Sequence, residues 1–164
     1  MLGNEPALEK YMKEKPRRRD ESIVSKSMAL QIGIMAIWMT IISFCFLKLP
    51  IFAEILGSQE KLYTAYFVLF VVAALFNGFN VRDNGYGIFK GLKDNPGFMK
   101  VWIIIVLVQA LIVNAALIPL EAFKWIGSMF SCTPFGVTGW IIVIALAFTM
   151  IPVDLLRKAI TKSK

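Results

Sequence analysis

Few side chains in this sequence could carry out chemistry on their own. Its 164 residues include no histidine, which removes the commonest general base and the commonest zinc ligand. Its two cysteines, Cys45 and Cys132, are far apart in the sequence and match no metal-binding motif. We interpret Cys45 as a buried thiol and Cys132 as a loop thiol. The sequence therefore predicts no catalytic residue, no metal site and no cofactor site in this chain.

One carboxylate, Asp154, lies within the long apolar runs of the chain. Calcium is bound by several oxygen ligands, usually with carboxylates among them. Asp154 is close to the end of its run, and Arg157 and Lys158 follow it, so we interpret it as one half of an ion pair at a helix end. The remaining polar side chains are too few and too scattered to predict a cation site. They are Gln31, Thr40, Ser43, Asn77, Gln109 and Asn114.

Two asparagines mark the end of the second apolar run. Asn77 and Asn80 are three residues apart and so share one face of a helix. Amides at that depth in a membrane need partners on a neighbouring helix or in a wet cavity. Together with Gln109 and Asn114 they are candidates for hydrogen bonds between helices. A role in ion binding or coupling stays open as the alternative.

The apolar runs that carry these residues are long enough to cross a bilayer. The chain is 57% hydrophobic, whereas soluble domains are about half apolar, and a membrane-spanning helix needs about twenty apolar residues. The predicted spans are residues 28–47, 62–79, 101–117 and 140–156. The sequence therefore predicts an all-α integral membrane bundle of four transmembrane helices.

The positions of the basic residues predict the orientation of this bundle. Of eighteen lysines and arginines, only Lys48, Lys61 and Lys124 fall in the two connections that alternate to the far side of the membrane. Basic loops stay on the cytoplasmic side, so both termini are predicted to be cytoplasmic. This topological pattern also argues against nucleic acid as a partner, although the net charge is +7.

The sequence divides into a cytoplasmic basic arm, residues 1–27, and a transmembrane domain, residues 28–164. In the arm, Arg17, Arg18, Arg19, Asp20 and Glu21 are candidates for docking to a protein partner, because arginine pairs with carboxylates in a bidentate manner. The alternative is a polybasic strip that binds anionic membrane lipid. The residue pattern favours neither over the other.

Two connections between the spans contain apolar residues that suit the membrane surface. The middle loop is predicted to form a short helix over residues 88–93, with Ile88 in the headgroup layer and Lys90 meeting anionic lipid. The connection after the third span is predicted to form an interfacial helix that includes Trp125 and Met129, because these side chains are too apolar for free solvent. We expect Pro152 to kink the fourth span near its inner end.

Three stretches resemble the C-terminal membrane region of P-type calcium-transporting ATPases. Residues 4–25, NEPALEKYMKEKPRRRDESIVS, resemble the cytoplasmic loop after the sixth helix of those pumps. Residues 75–98, LFNGFNVRDNGYGIFKGLKDNPGF, resemble the end of the eighth helix and the loop after it. Residues 129–140, MFSCTPFGVTGW, resemble the loop before the tenth helix. The order and spacing of these stretches identify the chain with helices seven to ten of such a pump.

Within that family the chain is most similar to the plasma-membrane type. Reticulum-type pumps carry a carboxylate about one turn before the position that matches Asn77, where this chain has Ala73 and Ala74. The resemblance therefore implies a pump with one calcium site, located in the plasma membrane.

The resemblance implies a supporting part of a pump rather than an independent activity. The family is phosphorylated on an Asp-Lys-Thr-Gly-Thr motif, which does not occur in this sequence. The complete pump would be an ATP-hydrolysing calcium translocase that uses magnesium and ATP. In it, this module would support the ion-binding helices and contact the remaining helices, the cytoplasmic domains and membrane lipid. The alternative is a free-standing four-helix scaffold or accessory subunit. A channel is disfavoured, because ion pathways normally contain ionisable groups that these spans nearly lack.

Overall fold

The computed structural model of the chain describes residues 24–82, 86–88, 92, 95–119 and 121–162. In this part, four segments are long and apolar enough to cross a membrane. They are span 1, Lys26–Lys48; span 2, Gln59–Arg82; span 3, Pro96–Leu117; and span 4, Gly136–Thr161. The prediction of an all-α bundle with four membrane-spanning helices is thus confirmed. The side of the membrane that holds the termini stays a prediction.

The spans are built from five of seven α-helices in the described residues. The helices are α1 Lys26–Lys48, α2 Pro50–Leu56, α3 Gln59–Arg82, α4 Pro96–Asn114, α5 Glu121–Met129, α6 Gly136–Phe148 and α7 Met150–Lys162. A 3-10 turn, Ala115–Leu117, completes span 3. Span 4 consists of α6 and α7. The sequence predicts α5 but does not predict α2, which lies in the short connection between spans 1 and 2.

Local sequence explains where the first helices begin and end. The Met28 backbone N–H donates to Ser25 Oγ at 3.2 Å and so caps α1. Pro50 begins α2, because proline fits the first position of a helix, where no backbone donor is needed. Gly57 ends α2 with a φ of 83°, a left-handed conformation that glycine adopts without steric cost.

Span 2 is the central helix of the bundle. In its most apolar stretch 50% of the residues are buried inside the protein, against 17% in spans 1 and 3. It contacts α6 most extensively and also α1, α2, α4 and α7. Its buried apolar side chains are Leu62, Ala65, Val68, Leu69, Val72, Ala73, Leu75 and Phe79. The other spans therefore surround span 2 and leave much of their own surface for lipid or for other protein.

Small residues allow span 4 to approach its neighbours closely. Gly139 of α6 is buried, and a Cβ atom added to it would lie 2.8 Å from Leu56 Cδ2 and even closer to the Phe135 ring. Ala147, two turns further along, is also fully buried. Small side chains at such positions let helix backbones come together where the surrounding lipid gives no hydrophobic driving force.

Aromatic contacts attach span 3 to the end of span 2. The Phe79 and Phe98 ring centroids are 5.1 Å apart, and those of Phe76 and Trp102 are 6.0 Å apart. Ile88, which the sequence predicts to lie in the headgroup layer, is instead 7% exposed and packs in this cluster. An isolated pattern of apolar residues does not distinguish a lipid neighbour from a protein neighbour. The rest of the predicted helix at residues 89–91 and 93 falls outside the described residues.

Span 4 is interrupted at Thr149, between α6 and α7. Pro152 has no backbone N–H, so the carbonyl of Phe148 loses its normal helical partner. The Trp38 indole Nε1–H of span 1 donates to Thr149 Oγ1 at 3.0 Å. The break lies slightly before the predicted kink at Pro152, and a side chain from span 1 stabilises it.

The prediction of a buried thiol at Cys45 is wrong. Cys45 is exposed on the surface of span 1, and Ile41, one turn earlier, is 46% exposed as well. Every face of a membrane-spanning helix can be apolar, so position within an apolar run does not indicate burial in protein. Cys132 lies in the connection before span 4, as predicted, and is partly buried; both thiols are free.

Candidate functional site

Five polar residues from three spans meet at one end of the bundle. They are Gln31 of α1, Asn80 of α3, and Asp154, Arg157 and Lys158 of α7. We call this group the polar cluster. Four of its members are buried, and the Asp154 side chain has no exposed surface. It is the most heavily buried group of charges in the described part of the chain.

The charged residues of the cluster lie on one face of α7. Arg157 Nε donates to Asp154 Oδ1 at 2.7 Å, and Lys158 Nζ lies 2.8 Å from Oδ2. Residues three and four positions apart are neighbours on a helix surface, so the local sequence alone brings these groups together. The predicted ion pair is therefore confirmed. Its burial goes beyond the prediction of a pair at a helix end.

Burial of these charges is tolerated because each has a partner. A buried ion is costly unless it is paired and hydrogen-bonded. The cluster nevertheless contains two cations and one anion. Part of the excess positive charge is offset by α3, because Lys158 Nζ donates at 3.3 Å to the carbonyl of Asn80 near the C-terminal end of that helix. The last carbonyls of a helix lack intrahelical partners and carry partial negative charge.

Hydrogen bonds within the cluster connect spans 1, 2 and 4. Asn80 Nδ2 donates to the Met150 carbonyl at 2.8 Å, which links α3 to the start of α7. Gln31 Nε2 lies 3.4 Å from both the Asn80 carbonyl and Asp154 Oδ1, which brings α1 into the same network. The cluster thus holds the ends of three helices in one relative position.

The geometry of the cluster does not suit a calcium site. A cation site needs oxygens that are free to point at the ion, but both oxygens of Asp154 already face Arg157 and Lys158. Within the described residues no group of three or more histidine, cysteine or acidic side chains is positioned to hold a metal. The arrangement can fix helix positions, and it offers no acid, base or nucleophile to a substrate.

The structure places the four candidate interhelical amides in different settings. Asn80 joins two spans, and Asn77 Oδ1 accepts a long hydrogen bond from Asn80 Nδ2 at 3.4 Å. Gln109 is 5% exposed, and its Nε2 has no hydrogen-bond partner among the described residues. Asn114 Nδ2 donates to the Ala110 carbonyl of its own helix at 2.8 Å. The four amides therefore do not form a single network.

The docking candidates of the arm, residues 17–21, lie outside the described residues. Sequence reasoning also missed Gln31 as a member of the polar cluster and did not connect Asp154 with Asn80. One feature of the sequence could have indicated the cluster: Asp154, Arg157 and Lys158 are spaced to lie on one helical face inside an apolar span. Charges at such a depth require partners, and an amide near the same end of another span is a natural donor or acceptor.

A family model described as "Cation transporting ATPase, C-terminus" matches residues 1–160. Among similar proteins are plasma membrane calcium-transporting ATPase mca-1 of Caenorhabditis elegans, 26% identical over 90% of this chain, and calcium-transporting ATPase 5, plasma membrane-type, of Oryza sativa subsp. japonica, 29% identical over 97%. Plasma membrane calcium-transporting ATPase 2 of Oreochromis mossambicus is 29% identical over 85% of the chain.

The chain spans only a small part of these relatives, between 12% and 14% of their length. No solved structure gives a significant match.

Proposed function

The chain belongs to the family of cation-transporting ATPase C-terminal domains, and from this we propose that it is the C-terminal membrane support module of a P-type calcium pump. In this proposal the module supports the ion-binding helices and couples them to the phosphorylation domain. The relatives named as plasma-membrane calcium-transporting ATPases favour calcium as the transported ion and the plasma membrane as the location. ATP and magnesium would act in the remainder of the pump.

The observation that carries this proposal is the polar cluster. Asp154 is fully buried, and its two oxygens face Arg157 and Lys158. A buried, neutralised carboxylate can hold helices in register, but it cannot also serve as an ion ligand without losing its partners. This favours a supporting role over direct transport by these four spans.

Exposed surface on the spans is consistent with packing against further helices. Span 1 presents Ile37 and Phe44, which are 63% and 64% exposed, and span 3 presents Leu107, which is 62% exposed. Such faces can contact lipid or other helices, since both are apolar. In the proposed pump, some of these faces would contact the ion-binding helices.

A chimeric pump tests the proposed function. We would replace the matching C-terminal segment of the C. elegans pump with this chain and measure ATP-dependent calcium uptake into membrane vesicles. We expect uptake, and we expect Lys158→Met to reduce it, because this change breaks the polar cluster. The matched control Lys48→Met removes an exposed lysine at the end of span 1 and should leave uptake unchanged.

One outcome of this experiment would count against the supporting role. If the chimera reaches the membrane and is phosphorylated by ATP but takes up no calcium, the chain does not replace the pump segment. That result would favour the free-standing scaffold instead.

The coupling part of the proposal concerns the basic arm and has its own test. In the chimera, replacing Arg17, Arg18 and Arg19 together by glutamine should lower ATP turnover if the arm docks on the phosphorylation domain. A peptide of residues 4–25 would report binding to vesicles that contain anionic lipid. Unchanged turnover combined with weaker peptide binding would show that the arm binds lipid rather than protein.

A further inference from the structure

Helix α5 lies at the end of the bundle opposite the polar cluster, in the connection between spans 3 and 4. It packs against α4 and against the 3-10 turn at the end of span 3. Gly127 is buried at this contact, and a Cβ atom added to it would lie 3.2 Å from the Ala116 backbone nitrogen. This close approach fixes the rotation of α5 about its own axis, so its remaining faces point in defined directions.

One flank of α5 is polar and faces an open groove. Lys124 and Ser128 are four residues apart and line this groove, which has a volume of about 610 Å³. Glu60 of span 2 and Thr133 line it as well. The Thr133 backbone N–H donates to Thr64 Oγ1 at 3.0 Å, which attaches the connection to span 2. The charged and hydroxyl side chains supply groups that water can hydrate, beside apolar surface that also lines the open groove.

The other flank of α5 is apolar and has no covering element among the described residues. Trp125 and Met129 are also four residues apart, and each is 65% exposed. Leu117 at the end of span 3 and Val137 at the start of span 4 are 68% and 75% exposed. The segments on both sides of α5 therefore present apolar side chains at the same end of the bundle. Side chains of this kind are unfavourable in water and mark a surface that contacts something apolar.

We propose that α5 lies in the membrane interface, with the Trp125–Met129 flank in bilayer lipid and the Lys124–Ser128 flank facing the aqueous groove. Lipid is the expected occupant because Trp125 and Met129 lie at the same end of the bundle as the exposed Leu117 and Val137, at the ends of two spans that are long and apolar enough to cross a bilayer. Tryptophan prefers the boundary between headgroups and acyl chains. Nine residues extend only about 13 Å as a helix, far too short to cross the bilayer.

This arrangement gives the connection between spans 3 and 4 a definite role. An amphipathic helix with one apolar flank and one polar flank binds in the interface plane. Here α5 separates the lipid from the groove that runs toward span 2. The groove would thereby stay open to water at the membrane surface.

Spin-label accessibility in lipid nanodiscs tests this proposal. In the complete chain with Cys45→Ala and Cys132→Ala, a nitroxide is attached at Trp125→Cys or Met129→Cys, with Lys124→Cys and Ser128→Cys as matched controls on the other flank. Oxygen is concentrated in lipid, and a nickel chelate stays in water. We expect the ratio of oxygen to nickel accessibility to be severalfold higher at residues 125 and 129 than at residues 124 and 128.

Two results would overturn the proposal. Equal nickel accessibility on both flanks would show that the Trp125 flank lies in water. Low accessibility of residues 125 and 129 to both reagents would show that protein covers this flank.

A second measurement avoids the cysteine variants: Trp125→Phe is compared with the unchanged chain in nanodiscs that contain brominated phosphatidylcholine. The difference in fluorescence between the two proteins is the contribution of Trp125. We expect bromine placed near the headgroups to quench this contribution. If bromine does not quench it, Trp125 does not contact lipid.

Discussion

Lys158 Nζ donates a hydrogen bond to the backbone carbonyl of Asn80 across 3.3 Å, which joins the end of span 4 to the end of span 2. The same ammonium group lies 2.8 Å from Asp154 Oδ2. The buried ammonium group of Lys158 therefore pairs with a carboxylate of its own helix, α7, and also contacts the partially negative C-terminal end of α3. This double role makes Lys158 the residue whose removal should disturb the bundle most directly.

Lys158→Met should destabilise the folded chain by about 2 kcal/mol, because the buried Asp154 Oδ2 loses its ammonium partner while Arg157 still pairs with Oδ1. The Asn80 carbonyl also loses its lysine donor, and Gln31 Nε2 at 3.4 Å is the side-chain donor that remains. The free energy of unfolding in detergent micelles, measured by titration with denaturing detergent, reports the change. Lys48→Met removes an exposed lysine and should change this free energy little. A Lys158→Met variant as stable as the unchanged chain would contradict the importance of the pair.

Asp154→Asn combined with Lys158→Met should cost less than the sum of the two single changes, by about 2 kcal/mol, because neighbouring residues in one network are coupled. Asp154→Asn removes the charged oxygen whose ammonium partner Lys158→Met removes, so the interaction between the two groups is lost only once in the double variant. The same unfolding titration on all four proteins gives the coupling free energy. Strictly additive effects would show that the two charges, 2.8 Å apart, do not interact.

Gly139→Ala should lower the free energy of unfolding by about 1–3 kcal/mol, since overpacking a tight contact forces neighbouring side chains to move. The new methyl group would meet Leu56 and Phe135. Gly33→Ala is the matched control, because nothing lies within 4 Å of the methyl group it would add. That control should be neutral or stabilising, since alanine is the better helix former. Equal stability of both variants would show that α6 and α2 do not approach each other closely at Gly139.

Trp38→Phe should cost about 1 kcal/mol, the net contribution of one hydrogen bond, because Thr149 Oγ1 loses its indole donor. The aromatic packing of residue 38 is largely kept. Trp125→Phe is a matched control on an exposed helix and should leave the thermal unfolding midpoint unchanged. The expected difference is a lower midpoint for Trp38→Phe alone. Identical midpoints would argue that the break at Thr149 does not depend on span 1.

Partial burial raises the pKa of the Cys132 thiol above its ordinary value. Only the thiolate reacts with alkylating reagents, so alkylation of Cys132 in the folded chain should require a higher pH than in the unfolded chain. The rate with iodoacetamide, measured against pH in a Cys45→Ala background, checks this. A profile that does not shift on unfolding in denaturing detergent would show that burial has no effect on this thiol.

The sequence by itself determined the four spans, because a bilayer of fixed thickness requires about twenty apolar residues per helix. It also determined the pairing of Asp154 with Arg157 and Lys158, since the geometry of one helix brings these residues together. The family resemblance depended only on motifs and their spacing and is confirmed by the family model.

Only the tertiary structure decided which faces of the spans are buried. Gln31 and Asn80 are 49 residues apart, and nothing in their local sequence shows that they meet. Ile88 proved to be buried in protein, and Cys45 proved to be exposed. The physical reason is that lipid is as apolar as a protein core, so a membrane span can be apolar on every side. The hydrophobic pattern that identifies the inner face of a soluble helix is then absent, and only packing between helices selects the contacts.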